Sequence, residues 1–277
     1  PWGPIGKTVY ERTYSRVKED GTNESWYDTV VRTVDGNLGL VSAEFHEPDE
    51  REKLIRLMLP FGIIPGGRHL YASGVKGRQF LFNCHASGWD YEDPTKHFTF
   101  MFDQLMQGGG VGSNYSNRYL SKMPKLTRKV DLRITCDDSH PNIEEFRYQL
   151  KETENYLFPW SDIKYEVEDS REGWVDALRE LLETAWSKKT NLSGYIEIDV
   201  SKVRARGLPL KTSGGIACGP GPLVQMLTDV ATVINRIVEA GGELTSDEAM
   251  NIDHAMAACV VAGGKRRSSR MSVKNWK

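Results

Sequence analysis

Residues 80–116 read FLFNCHASGWDYEDPTKHFTFMFDQLMQGGGVGSNYS, and the reading of the whole chain turns on this stretch. Phe80, Leu81 and Phe82 form an apolar run of the length a buried parallel strand needs, so the run predicts a strand that ends at Asn83-Cys84. Asp93-Pro94 opens a helix, because Asp caps and Pro fits a first turn. Phe98, Met101, Phe102, Leu105 and Met106 follow at helical spacing until Gly108. Gly108-Gly109-Gly110-Val111-Gly112 then predicts a turn whose backbone N–H groups can approach a ligand with no Cβ in the way. Taken singly, the cysteine reads as a small buried hydrophobe and the glycines as a helix stop. Their order, thiol then helix then bare backbone, is what suggests a site.

The rest of the composition narrows the class. A chain of 277 residues with 39% hydrophobic residues can bury a substantial core as one large or two modest domains. Lys and Arg total 36 against 38 Asp and Glu, so no global positive field favours nucleic acid or an anionic membrane. Neither a signal peptide nor an apolar run of membrane length is visible. Cys84, Cys136, Cys218 and Cys259 are widely spaced with no CxxC, which fits a reducing, cytoplasmic setting and no structural zinc. The chain begins at Pro1 and ends at Lys277 without an initiating Met, and reads as part of a longer polypeptide.

In chain order, residues 1–20 read as an arm with Trp2, Tyr10 and Tyr14 packed on a larger body. Residues 24–35 predict a helix with Trp26, Val30 and Val34 on one stripe. A second helix follows Pro48-Asp49 with Leu54, Leu57 and Met58 inward, limited by Pro60. Residues 61–77 read as a Gly- and Pro-rich connector, with Arg68 as a phosphate contact the other reading. Val130, Leu132 and Ile134 alternate with polar residues as a strand. Asp137, Asp138 and His140 read as a turn rather than a metal site. Asp169 and Glu172 have capping-box spacing ahead of a helix carrying Trp174, Leu178, Leu181, Leu182 and Trp186. Residues 195–200 alternate as a strand. Residues 201–223, dense in Arg, Lys and Gly, read as a phosphate-binding loop or an ordinary surface loop. Leu223 to Val238 is a buried helix face, and Ser246 caps a last helix on which His254 and Cys259 read as packing. Residues 263–270 make a basic loop that is a solvated run, a nucleic-acid contact or a clamp on a mononucleotide.

Six blocks in register carry a family resemblance: TVYERTYSR (8–16), FNC (82–84), QGGGVGSNYS (107–116), VEDSREGW (167–174), RARGLPLKTSGGIACGPGPL (204–223) and AGGKRRSS (262–269). Together they resemble the adenosylcobalamin-dependent, class II ribonucleotide reductases of the monomeric ribonucleoside-triphosphate reductase type, in their N-terminal half. The resemblance implies thiyl-radical conversion of ribonucleotides to deoxyribonucleotides, with two electrons drawn from a cysteine pair. Cys84 then corresponds to the first cysteine of that redox pair, and Asn83, Gly109 and Gly110 to substrate contacts. Lys202, Arg204, Arg206 and Lys211 correspond to effector-binding positions. Gly263, Gly264, Lys265, Arg266, Arg267 and Ser268 correspond to the specificity loop that links effector base to substrate base.

The implied fold is α/β: N-terminal helices over 1–79, the first half of a ten-stranded α/β barrel over 80–116 and 200–277, and an inserted α+β segment over 117–199 that completes the effector site. That insertion implies a monomer. The implied partners are a ribonucleotide, a dNTP effector and a thioredoxin-type reductant, with no nucleic acid and no membrane. Adenosylcobalamin contacts are expected mostly outside this chain, and no resident metal within it. Cys136, Cys218 and Cys259 match neither the family's radical cysteine nor its second redox cysteine, so the piece alone is expected to be inactive. A non-catalytic nucleotide-binding module is the alternative reading.

Overall fold

The stretch expected as an N-terminal arm is a helix in the computed structural model, which describes residues 2–75, 81–151, 163–187, 192–210, 216–260 and 268–275. Helix α1 (Gly3–Thr13) has Pro4 in its first turn, where a missing N–H costs nothing, and buries Tyr10. Tyr10, Trp2, Trp26 and Phe61 form one aromatic cluster, with the rings of Trp26 and Phe61 stacked at 4.9 Å. Helix α2 (Trp26–Leu38) starts two residues later than its apolar pattern suggests. Ser25 and Asp28 form a reciprocal capping box there and satisfy two orphan donors. Helix α3 (Glu50–Met58) buries Met58, with Leu54 partly buried, whereas Leu57, expected inward, is exposed. The connector over 61–77 holds a further short helix, α4 (Gly67–Ala72), which buries Leu70. Arg32 binds these pieces together: it meets Glu24 through Nε at 2.6 Å and donates to the Ser73 and Leu70 carbonyls. These elements make one compact unit, Pro1–Asn83.

The second unit, Cys84–Lys277, holds the main core. Strand β1 (Cys84–Ser87) begins at the cysteine instead of ending there, and Phe82 of the expected strand is 76% exposed. The reason is non-local: residues 84–87 find a hydrogen-bonding partner in the glycine segment, and Leu81 and Phe82 do not. Helix α5 (Lys96–Met106) buries Phe98, Met101, Phe102 and Leu105 as its spacing requires. Gly108 ends it at φ +77° with paired bonds from Gly109 N to the Gln104 carbonyl and from Gly108 N to the Leu105 carbonyl, a Schellman stop. The expected glycine turn is therefore confined to Gly108-Gly109. Gly110 onward is strand β2 (Gly110–Asn114).

A short helix, α6 (Asn117–Leu120), leads to strand β3 (Asp131–Thr135), helix α7 (Arg147–Lys151) and strand β4 (Ile163–Glu166). Helix α8 (Arg171–Trp186) is capped by Ser170, which accepts from Gly173 N, and not by Asp169. Strand β5 (Tyr195–Asp199) pairs in parallel with both β3 and β4. Helix α9 (Gly221–Glu239) buries its Leu223, Leu227, Ile234 stripe and ends at Gly241-Gly242. Helix α10 (Ser246–Cys259) is capped by Thr245, one residue before the expected Ser246; Cys259 is buried on it, but His254, expected to pack, is exposed. Residues 269–273, assigned in part to a loop, form strand β6 (Ser269–Val273), which pairs in parallel with β2. Among the described residues the strands make two parallel sheets, ordered β1-β2-β6 and β3-β5-β4. Parallel strands need covered faces. Helices α5, α8, α9 and α10 supply the apolar layer.

Candidate nucleotide site

Backbone pairing builds the site's first layer. Cys84 is the register partner of Gly110 on β2, and Gly110 is in turn the partner of Ser269 on β6. A parallel sheet spaces such neighbours about 4.8 Å apart. One row across the sheet therefore carries a thiol, a bare backbone and a hydroxyl. Cys84 is exposed. Gly109 is buried, and a Cβ there would lie 2.9 Å from the His85 ring and 3.0 Å from the Gln104 carbonyl, so only glycine fits the helix exit beside β1. Within the N-terminal unit, Asn83 Oδ1 accepts from Arg68 Nε at 2.8 Å and also from Nη2. Arg68 thus steadies the side chain that immediately precedes Cys84.

The other cysteines differ in kind. Burial, and next the Asp199 carboxylate, push the Cys136 thiol up to about 11. Burial also raises Cys218, and raises the fully enclosed Cys259 further still. A raised value keeps the thiol protonated and unreactive at neutral pH.

The basic turn after β5 is fastened by carboxylates. Arg204 is 16% exposed at its side chain; its Nε meets both Asp169 oxygens at 2.9 and 3.0 Å, and Nη1 donates to the Pro209 carbonyl. Arg206 donates through Nη2 to Glu145 at 2.8 Å, and its backbone N–H donates to Asn142 Oδ1 at 2.7 Å. Lys202 pairs with Glu166 and, at 3.5 Å, with Glu168. Lys202 and Arg206 keep exposed side chains, whereas Arg204 is committed to holding the turn. Ser268 is described and half-buried. Lys211, Gly263, Gly264, Lys265, Arg266 and Arg267 lie outside the described residues.

One polar cluster was not anticipated from sequence. Asp253 on α10 is fully buried, hydrogen-bonded to the Tyr115 hydroxyl and 3.3 Å from His97 Nε2. Burial first, and then the Asp253 charge, raise the Tyr115 phenol above its ordinary value. His97 is stacked under Trp89 at 3.9 Å and bonded through Nδ1 to Ser87 Oγ at 2.8 Å. The available signal was an acidic residue on a buried helix stripe with Ala249, Ile252 and Met256, where an unpaired charge is costly.

An open cleft of about 1150 Å³ runs beside Trp89, Phe100 and α8, bordered by Asp90, Asp103, Asp176 and Arg179. Its carboxylates would repel a polyphosphate. No three His, Cys, Asp or Glu side chains converge as metal ligands among the described residues. No described helix is long and apolar enough to cross a membrane.

Comparison with known proteins interprets this arrangement. The family model described as the ribonucleotide reductase alpha domain matches residues 1–75, and that of the B12-dependent ribonucleotide reductase insertion domain matches residues 130–234. The chain belongs to the class II ribonucleotide reductase family. It is 49% identical over its full length to an adenosylcobalamin-dependent ribonucleoside-triphosphate reductase of Mycobacterium phage D29, covering 40% of that protein. It is 32% identical, over 98% of its length, to the reductase so named in Lactobacillus leichmannii, covering 41% of it. A crystal structure of a B12-dependent, class II ribonucleotide reductase superposes with a TM-score of 0.84 at 30% identity, over 99% of this chain and 42% of the other. The chain therefore spans about 40% of the length of the reductases it matches. Like that structure, it is a mixed α/β protein built on parallel sheets.

Proposed function

We propose that this chain is the N-terminal part of a reductase that converts ribonucleotides, as triphosphates, to deoxyribonucleotides, and that Cys84 is one of the two thiols supplying the electrons. The observation that carries the reading is the exposed Cys84 thiol in register with Gly110 on the adjoining strand. Replacing a ribose C2′–OH by C2′–H consumes two electrons. Two thiols give them up, becoming a disulfide, while the hydroxyl leaves with a proton as water. A thiol for this role must be reachable by substrate and by an external reductant, and Cys84 alone among the four meets that requirement. The radical cysteine and the second redox cysteine belong to the rest of the polypeptide, so the piece alone does not turn over.

In this reading Asn83, steadied by Arg68, and the backbone of Gly109 and Gly110 face the ribose. A dNTP effector binds Lys202 and Arg206, with Arg204 shaping the turn and Lys211 alongside. Gly263, Gly264, Lys265, Arg266, Arg267 and Ser268 report the effector base to the substrate. Strands β1, β2 and β6 are three strands of the first half of a ten-stranded barrel over 80–116 and 200–277, with helices over 1–79 before it. Segment 117–199 is the insertion, and its α8 packs on α5 and α9 of the same chain in place of a second subunit, which supports a monomer. A thioredoxin-type protein in the cytoplasm re-reduces the cysteine pair.

The described residues do not fit adenosylcobalamin. The open cleft beside Trp89 and Phe100 is bordered by carboxylates, so the cofactor is assigned to parts of the protein outside this chain and no step is drawn through it. The test is reduction of a ribonucleoside triphosphate by the full-length protein with adenosylcobalamin and thioredoxin. Cys84→Ser abolishes multiple turnovers if the reading holds; an undiminished rate removes Cys84 from its role.

A further inference from the structure

Three strands meet at the Cys84 row, and one buried side chain ties their elements together. Asp253 has no exposed side-chain surface. Its Oδ2 accepts from the Tyr115 hydroxyl at the end of β2, and lies 3.3 Å from His97 Nε2 and 3.9 Å from Arg270 Nη1. His97 reaches Ser87 at the end of β1, and Arg270 on β6 donates to the Met250 carbonyl on α10 at 2.7 Å. Tyr115 also donates its backbone N–H to the Val273 carbonyl at 2.7 Å. Asp253 Oδ1 has no hydrogen-bond partner among the described residues. An enclosed carboxylate with one idle oxygen is costly, and a fold carrying only a stability role there would do as well with an apolar side chain.

We infer that Asp253 is a positioning residue for the nucleotide site: through Tyr115 and Arg270 it holds β6 in register with β2, so that Ser269 stands beside Gly110 in the row that carries Cys84. The inference rests on the proposed function only in calling that row a nucleotide site. It adds a residue that touches no substrate. With Asp253 neutral, Arg270 loses its counter-charge, β6 loosens against Gly110, and the row no longer presents one geometry to a ribose. Replacing a partly buried charge pair by uncharged groups of similar size is often neutral for stability, whereas removing one partner is not. That asymmetry separates positioning from mere support.

The experiment uses the full-length protein carrying Asp253→Asn, and Asp253→Asn combined with Arg270→Met. Hydrogen exchange is followed at the amides of Ser269–Val273, together with thermal stability, dNTP affinity, and KM and kcat for a ribonucleoside triphosphate. The single variant is expected to lose protection in β6 and to raise KM about tenfold with dNTP affinity unchanged. The double variant is expected to regain stability while KM stays raised. Unchanged β6 exchange in the single variant, or a KM that returns together with stability in the double, overturns the inference. If the unsubstituted protein reduces no ribonucleotide, the proposed function falls, and the exchange result still decides whether Asp253 holds β6 to β2.

Discussion

Cys84 stands in register with Gly110 on the neighbouring parallel strand, with its thiol exposed. The other cysteines are partly or fully enclosed, and their thiols are pushed up, Cys136 to about 11. At pH 8 a thiol at that value is only about one part in a thousand thiolate, the reactive form. Iodoacetamide at pH 8 should therefore label Cys84 first in the folded protein, as read by peptide mapping. Equal or faster labelling of Cys136 or Cys218 would contradict the geometry.

Gly109 has no room for a side chain. A methyl group there meets the His85 ring and the Gln104 carbonyl at about van der Waals overlap, and the carbonyl belongs to the helix stop itself. Gly109→Ala should cost about 1–3 kcal/mol in urea unfolding. Gly207→Ala makes the contrast: nothing among the described residues lies within 4 Å, so it is the φ of +89° that opposes the methyl group.

Acid should weaken the N-terminal unit through Glu24. Burial works to raise this carboxyl, but the Arg32 guanidinium and the Thr29 hydroxyl outweigh it and hold the value below its ordinary 4.5. A folded value below the unfolded one means the stabilisation is present above about pH 4.5 and is lost as pH falls through the folded value. Glu24→Gln leaves Arg32 without its counter-charge and should cost about 3 kcal/mol at pH 7. It should also flatten the acid limb of stability, followed by fluorescence of Trp2 and Trp26. An acid limb identical to that of the parent would show that Glu24 is not the group responsible.

Lys202 and Arg206 should separate from Arg204 in their effects. The first two keep exposed heads, so Lys202→Ala and Arg206→Ala should weaken dNTP binding by about tenfold, as loss of a charge-assisted bond does, with little change in unfolding. Arg204→Lys cannot reproduce the two-oxygen grip on Asp169, so it should lower the unfolding midpoint as well as the affinity. Isothermal titration beside urea melts checks this, and a stability-neutral Arg204→Lys would deny the residue its bracing role.

What could be read from sequence follows from range of interaction. Helices α5, α8 and α9 announce themselves because their stripes, such as Leu223, Leu227 and Ile234, are local and periodic. Strands β3 and β5 alternate over a few residues and were legible for the same reason. Strands β1, β2 and β6 were not. Cys-His-Ala-Ser, Gly-Val-Gly-Ser-Asn and Ser-Arg-Met-Ser-Val carry no apolar pattern, and they are strands because β1 finds β2 across helix α5 and β2 finds β6 across most of the second unit. Cap positions slipped by a residue where two candidates were adjacent, as at Asp169-Ser170, because Asp169 is engaged by Arg204 instead. The candidate site divides likewise. Cys84 and its glycine partner were legible as blocks, while Asp253 owes its place to three elements distant in sequence.

The most direct measurement is the redox state of Cys84 after a single turnover. Full-length protein, reduced and freed of external thiols, is given adenosylcobalamin and a ribonucleoside triphosphate, and its cysteines are mapped as dNTP forms. One Cys84 should enter a disulfide for each deoxyribonucleotide produced. Deoxyribonucleotide formed while Cys84 remains a free thiol would contradict the account.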